Sequence, residues 1–154
     1  MADRGHKMSA FDSVLKLAKQ WKPQTLPTEL KYRDSLIGHL REQLRDAKIE
    51  PEYRHLGTTT DIYVKQPGFF GSSEVFVELK RNFLQKAQCD RLIGQIESLE
   101  PKKNSIIVVL CGETNPALLT RLRQRYLGPS EKAVVFVPFA VVEKPVGELV
   151  NEHD

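Results

Sequence analysis

A chain of 154 residues that is 40% hydrophobic and 28% charged has the profile of an ordinary globular domain, long enough to bury roughly 70% of the surface its unfolded form exposes. Such a core needs no disulfide framework or structural zinc, and Cys89 and Cys111, with no Cys-x-x-Cys or paired His spacing around them, point to reduced packing residues. With 23 Lys+Arg against 20 Asp+Glu the net charge of +3 does not by itself mark a nucleic-acid binder, and no apolar run approaches the roughly 20 residues that span a bilayer.

The first residues lack the apolar stretch and small-residue cleavage site of a secretory signal, so a cytoplasmic protein with no membrane partner is expected. Residues 1–27 read as a basic accessory segment in which Phe11, Val14, Leu15, Ala18 and Trp21 follow helical spacing. That helix docks either on the body or on a partner. The body is expected over residues 28–144, followed by a tail at 145–154.

Thr28 is placed to cap a first core helix, whose apolar stripe is Tyr32, Leu36, Ile37, Leu40 and Leu44. A short strand is expected at Tyr53-Arg54-His55. Thr60 to Lys65 and Glu74 to Lys80 then form a hairpin around a turn-rich stretch, Gln66 to Ser73. The next helix is expected from about Phe83 to Leu99, with Leu84, Ala87, Leu92, Ile96 and Leu99 as core positions and Pro101 beyond its end. Ser105 to Cys111 has the continuous apolar character of a strand buried on both faces. Asn115-Pro116 opens a helix through Tyr126, and Ala133 to Phe139 is the last strand. This order implies an α/β fold, a mixed sheet covered by helices on both sides.

Strand alternation separates Asp61 and Tyr63 from Ile62 and Val64, and Phe76, Glu78 and Lys80 from Val75, Val77 and Leu79. If Lys65 pairs with Glu74, as opposite charges prefer, Asp61 falls opposite Glu78. Two like charges facing each other in a ladder are destabilising, and a divalent cation would offset them; paired carboxylates with open coordination positions are how proteins usually hold Mg²⁺. Lys80 shares the face of Glu78. The other reading of the three residues is a solvated face carrying a surface salt bridge.

At these residues the sequence resembles the PD-(D/E)XK nuclease superfamily, with Asp61 in one hairpin strand and Glu78-Leu79-Lys80 in the next, after Val75-Phe76-Val77. The resemblance covers residues 28 to 139 and departs from the pattern at Thr60, where the family name has Pro. It implies a restriction-endonuclease-like fold: a central mixed β-sheet flanked by helices, in the order helix, strand, β-hairpin, helix, strand, here with an extra helix and strand. It further implies Mg²⁺-dependent hydrolysis of phosphodiester bonds, with Mn²⁺ as a substitute, and DNA as the substrate. Asp61 and Glu78 would hold metal with the backbone carbonyl of Leu79, and Lys80 would orient the attacking water.

The family tends to place an acid on the first helix, and Glu29 falls nearer the centre of that helix's apolar stripe than Asp34 or Glu42; its alternative is an N-terminal acid favoured by the helix dipole. Several branches carry a supporting Gln on the helix after the hairpin, in Gln-x-x-x-Tyr. Gln95 matches it with Leu99 in place of Tyr, or is an ordinary helix residue. Lys102, Lys103, Arg121 and Arg125 are candidates for phosphate contacts, with a solvated surface as the alternative. Cutting both strands of a duplex calls for two sites, so a homodimer is a candidate assembly. The rival readings are a catalytically silent nuclease-fold module that binds nucleic acid or serves assembly, and an interaction domain docking through Trp21. The three charged groups are expected to meet no structural need, so that removing one would spare the fold.

Overall fold

Ser9 opens the first helix, α1 (Ala10–Gln20), by accepting the Asp12 N–H on its hydroxyl at 3.1 Å. Val14, Leu17, Ala18 and, just beyond the helix, Trp21 are buried, while Phe11 and Leu15 pack at the edge of the same core. The accessory helix therefore docks on the body. The computed structural model that shows this describes residues 9–55, 57–68, 71–99, 105–126 and 133–138. The proposed tail at 145–154 lies outside them.

Thr28 caps α2 (Glu29–Gln43), its hydroxyl accepting the Lys31 N–H at 3.1 Å, and Tyr32, Leu36, Ile37 and Leu40 are its buried stripe. The sheet follows as β1 (Lys48–His55), β2 (Thr58–Gly68) and β3 (Gly71–Phe83), then β4 (Ser105–Thr114) and β5 (Ala133–Pro138), in spatial order β1-β2-β3-β4-β5. The first three strands run antiparallel and the last three parallel. Parallel neighbours need crossovers, which are supplied by α3 (Lys86–Ser98) and α4 (Pro116–Arg125). Among the described residues this is an α/β protein with a five-stranded mixed sheet and four helices, none long and apolar enough to cross a membrane.

Alternation along the strands divides the interior in two. Ile62, Val64, Val75, Val77, Leu79, Ile107 and Val109 meet α1 and α2 on one face. Tyr63, Phe76, Ile106, Val108 and Leu110 meet α3 and α4 on the other. Both cysteines are free and buried, as packing residues should be.

Several boundaries differ from the sequence-based expectation. β1 begins at Lys48 instead of Tyr53, because its pairing with β2 runs from Lys48↔Lys65 to His55↔Thr58. The turn-rich stretch is mostly strand: Gln66↔Ser73, Pro67↔Ser72 and Gly68↔Gly71 extend the hairpin beyond the end of β1, where Pro67 has no neighbour on that side to disappoint. Helix α3 starts at Lys86, not Phe83, because β3 runs on to Phe83; Leu84 is 41% exposed in the connection and Ala87 faces solvent, so neither is core. Cys89 takes the buried place beside Leu92, Ile96 and Leu99.

The end of β3 is shaped by an irregularity that periodicity does not reveal. The β3–β4 register slips between Arg81 and Phe83, Asn82 adopts a left-handed φ of 53°, and Gly112 opposite it has φ 72°. The Asn82 side-chain oxygen accepts the Glu113 N–H at 3.1 Å, and a Cβ at Gly112 would collide with that oxygen. Gly112→Ala thus combines a strained backbone with a clash, and denaturant unfolding should show a loss of about 1–3 kcal/mol. A variant as stable as the parent would mean that this bulge does not constrain the strand.

Candidate active site

Lys65 and Glu74 are partners, and the same register carries the hairpin ladder to Ile62↔Val77, where regular pairing ends. The next position would set Asp61 opposite Glu78. Instead of continuing the ladder, side chains of β2 take over the backbone groups of β3. The Asp61 carboxylate accepts the Leu79 N–H at 2.8 Å. The Thr60 hydroxyl, fully buried, lies 2.7 Å from Glu78 Oε1 and 3.3 Å from the Val77 carbonyl oxygen. From the other layer, Glu29 at the start of α2 brings its carboxyl close to Lys80 and to the Arg81 backbone.

This arrangement brings Asp61 and Glu78 within hydrogen-bonding reach of each other. Glu78 is only 3% exposed, and burial, followed by the Asp61 charge, pushes its carboxyl up to about 8, against the opposing pull of Thr60 and Lys80. Glu29 as a residue stays open to solvent, yet its carboxyl lies against β3 and is raised by burial first and then by Asp61, opposed by Lys80 and the Arg81 N–H. Lys80 is therefore the cation shared by the acids. Each carboxylate of the close pair has one protein donor, which orients it.

Beside the pair, a polar cleft of about 300 Å³ is lined by Glu29, Lys80, Gln88, Arg91 and Gln95. Gln88, Arg91 and Gln95 recur at helical spacing on one side of α3. Gln88 is anchored by accepting the Leu84 and Gln85 N–H groups on its Oε1, each at 2.9 Å. Gln95 Oε1 is buried without a hydrogen-bond partner.

Of the residues the sequence nominates, Asp61, Glu78, Lys80, Glu29 and Gln95 are gathered here, and Leu79 lies at the centre of the open edge with its N–H held by Asp61. Arg121 and Arg125 are not: both are exposed on α4, Arg121 at 3.9 Å from Asp90 and Arg125 at 5.8 Å from the Tyr126 ring centre. Lys102 and Lys103 lie outside the described residues. The expectation that the charged groups meet no structural need is corrected for two of the three, because Asp61 accepts the Leu79 N–H and Glu78 the Thr60 hydroxyl at the unpaired edge of β3. Sequence reasoning missed Thr60, Gln88 and Arg91. Arg91 and Gln88 stand four and seven residues before Gln95, a spacing that was available as a signal.

Among the described residues no three His, Cys, Asp or Glu side chains converge as a metal cluster, so the acids nearest to one another are a pair. Two oriented carboxylates beside a polar cleft do suit Mg²⁺, which retains several waters and takes few protein ligands. A larger cavity of about 590 Å³, bounded by Trp21, Arg123 and Val135 to Val137, has no carboxylate among its described lining residues and offers no such donor set. Comparison with known proteins gave no match to a family model, to a curated protein or to a solved structure.

A carboxyl raised on folding binds its proton more tightly in the folded chain, so Glu78 makes stability fall as pH climbs from its ordinary 4.5 to about 8. Glu78→Gln keeps an oxygen for Thr60 and removes the ionisation. In the absence of divalent cations its melting temperature should exceed the parent's at pH 8.5, with the pH slope reduced by about one proton between pH 5 and 8. Parallel pH profiles for the two proteins would show that Glu78 is not buried against Asp61.

Proposed function

We propose that the protein is a metal-dependent nuclease of the PD-(D/E)XK type, hydrolysing phosphodiester bonds in DNA. The observation that carries this reading is the contact between the Asp61 and Glu78 carboxyl groups at the open end of the hairpin, with Lys80 beside them and a polar cleft alongside. The order α2, β1, β2, β3, α3, β4 within a mixed sheet is also what the resemblance implies.

Asp61 and Glu78 would hold the Mg²⁺, with Leu79 adjoining them. Once bound, Mg²⁺ supplies charge stabilisation at the scissile phosphate and a lowered pKa for water. The chain's own groups prepare the rest. The Leu79 N–H and the Thr60 hydroxyl hold one oxygen of each carboxylate, which limits their rotation before substrate arrives. The Lys80 ammonium would attract a phosphate oxygen, orient the attacking water and stabilise charge developing in the transition state. Gln95, with its unpartnered buried oxygen, is ready to accept a hydrogen bond from water or substrate.

A second reading draws on one observation: Asp61 also satisfies the Leu79 N–H of β3, so a silent nucleic-acid-binding module of this fold would retain it for structural reasons. Cleavage separates the two. Supercoiled, linear, branched and single-stranded DNA are incubated with Mg²⁺ or Mn²⁺ beside Asp61→Asn and Lys80→Ala proteins; Asp61→Asn retains an oxygen for the Leu79 N–H and loses the charge. Metal-dependent cutting that drops by at least a hundredfold in both variants, at unchanged melting temperature, is expected. The absence of cutting by the parent, together with no Mg²⁺ binding by calorimetry, would leave the silent module.

A further inference from the structure

The wall of the cleft formed by α3 carries a cation that nothing on its own helix offsets. Residues three and four positions from Arg91 are Ala87, Gln88, Gly94 and Gln95, so no acid is in reach along the helix. The acids of α3 are engaged elsewhere. Asp90 meets Lys86 at 3.3 Å and Arg121 at 3.9 Å, and Glu97 accepts the Tyr126 hydroxyl at 2.7 Å. Glu29, the acid across the cleft, has Lys80 as its leading charge partner. Among the described residues Arg91 forms no ion pair.

The surroundings suit an extended anion. Arg91 is exposed, Ala87 and Gly94 on either side of it along the helix are exposed and small, and a Cβ at Gly94 would meet nothing within 4 Å. A chain can therefore lie close against α3. Gln88 has its oxygen engaged by two backbone N–H groups and keeps its amide NH₂ as a donor, and Gln95 lines the same cleft with a side-chain oxygen that is buried and unpartnered.

We propose that Arg91 is the strand anchor of this protein: its guanidinium grips the phosphate next to the one presented to Asp61 and Glu78, with the DNA backbone running along the Ala87–Gly94 side of α3. A planar guanidinium can engage two phosphate oxygens at once, which registers a strand where a lysine would only attract it. The identity of the ligand as DNA rests on the nuclease reading above, and the test is independent of cutting.

Binding of fluorescent single-stranded and duplex oligodeoxynucleotides is measured by anisotropy without divalent cations, over a range of salt concentrations. The proteins are the parent, Arg91→Ala, Arg91→Lys and, as a control for general charge, Arg121→Ala. Arg91→Ala should weaken binding about tenfold and lower the slope of log K against log salt by about one, while Arg91→Lys restores the slope and only part of the affinity. Replacing one phosphate by a methylphosphonate should weaken the parent and leave Arg91→Ala unaffected, at a single position in the strand. Unchanged affinity and slope in Arg91→Ala, a loss matched by Arg121→Ala, or no DNA binding by the parent would each overturn the proposal. DNA binding that depends on Arg91 in a protein that never cuts would keep the anchor and reject the nuclease; cutting with binding indifferent to Arg91 would do the opposite.

Discussion

The parting of β2 from β3 beyond Ile62↔Val77 is the constraint on which the site depends. A strand that loses its neighbour leaves N–H and C=O groups without partners, and each one buried unsatisfied costs about 1–3 kcal/mol. Here losses are met by side chains: Asp61 for the Leu79 N–H and the Thr60 hydroxyl for the Val77 carbonyl, with the Glu29 carboxyl close by from α2. Asp61 stands in for the missing strand, and with Glu78 and Glu29 close by it gathers negative charge at one place. Glu78, buried within that group, then holds its proton to an unusually high pH.

The rest of the architecture keeps this edge accessible from one direction. Helices α1 and α2 cover one face of the sheet and α3 and α4 the other, with the cleft where the start of α2 and the side of α3 approach the end of β3. The Asn82–Gly112 bulge lies two residues beyond Lys80 and carries the strand out of register before the turn into α3. Two residues along β2 from Asp61, on the same face, Tyr63 stacks on Tyr53 with centres 3.9 Å apart, and its hydroxyl donates to Glu74. Those contacts brace the paired portion of the hairpin while its other end stays open. A site built this way is held by secondary structure and not by loops, the condition under which side-chain geometry is most reproducible.

Much of this was legible in the chain itself. The helical stripes of α1 and α2, the caps Thr28 and Asn115 and the alternation of β2 and β3 are local patterns, and one charge pair, Lys65 with Glu74, was enough to set the hairpin register. From that register came the meeting of Asp61 and Glu78. Where the pattern misled, at Leu84 and Ala87, apolar residues lay in a connection and on an exposed helix flank, and a helical count cannot distinguish such positions from a buried face.

By itself, the sequence determined the α/β class, the order of elements and which acids share a strand face, because side-chain periodicity and opposite-charge pairing act between near neighbours along the chain. Tertiary structure decided where the hairpin ladder stops, which backbone groups the acids satisfy, and which side of α3 meets Lys80. Those outcomes depend on how elements far apart in sequence pack together: Glu29 reaches β3 from another layer, and Arg91 becomes part of a cleft only when α3 crosses back over the sheet. No local pattern encodes a distance between such residues, since it is set by packing of the two cores against opposite faces of one sheet.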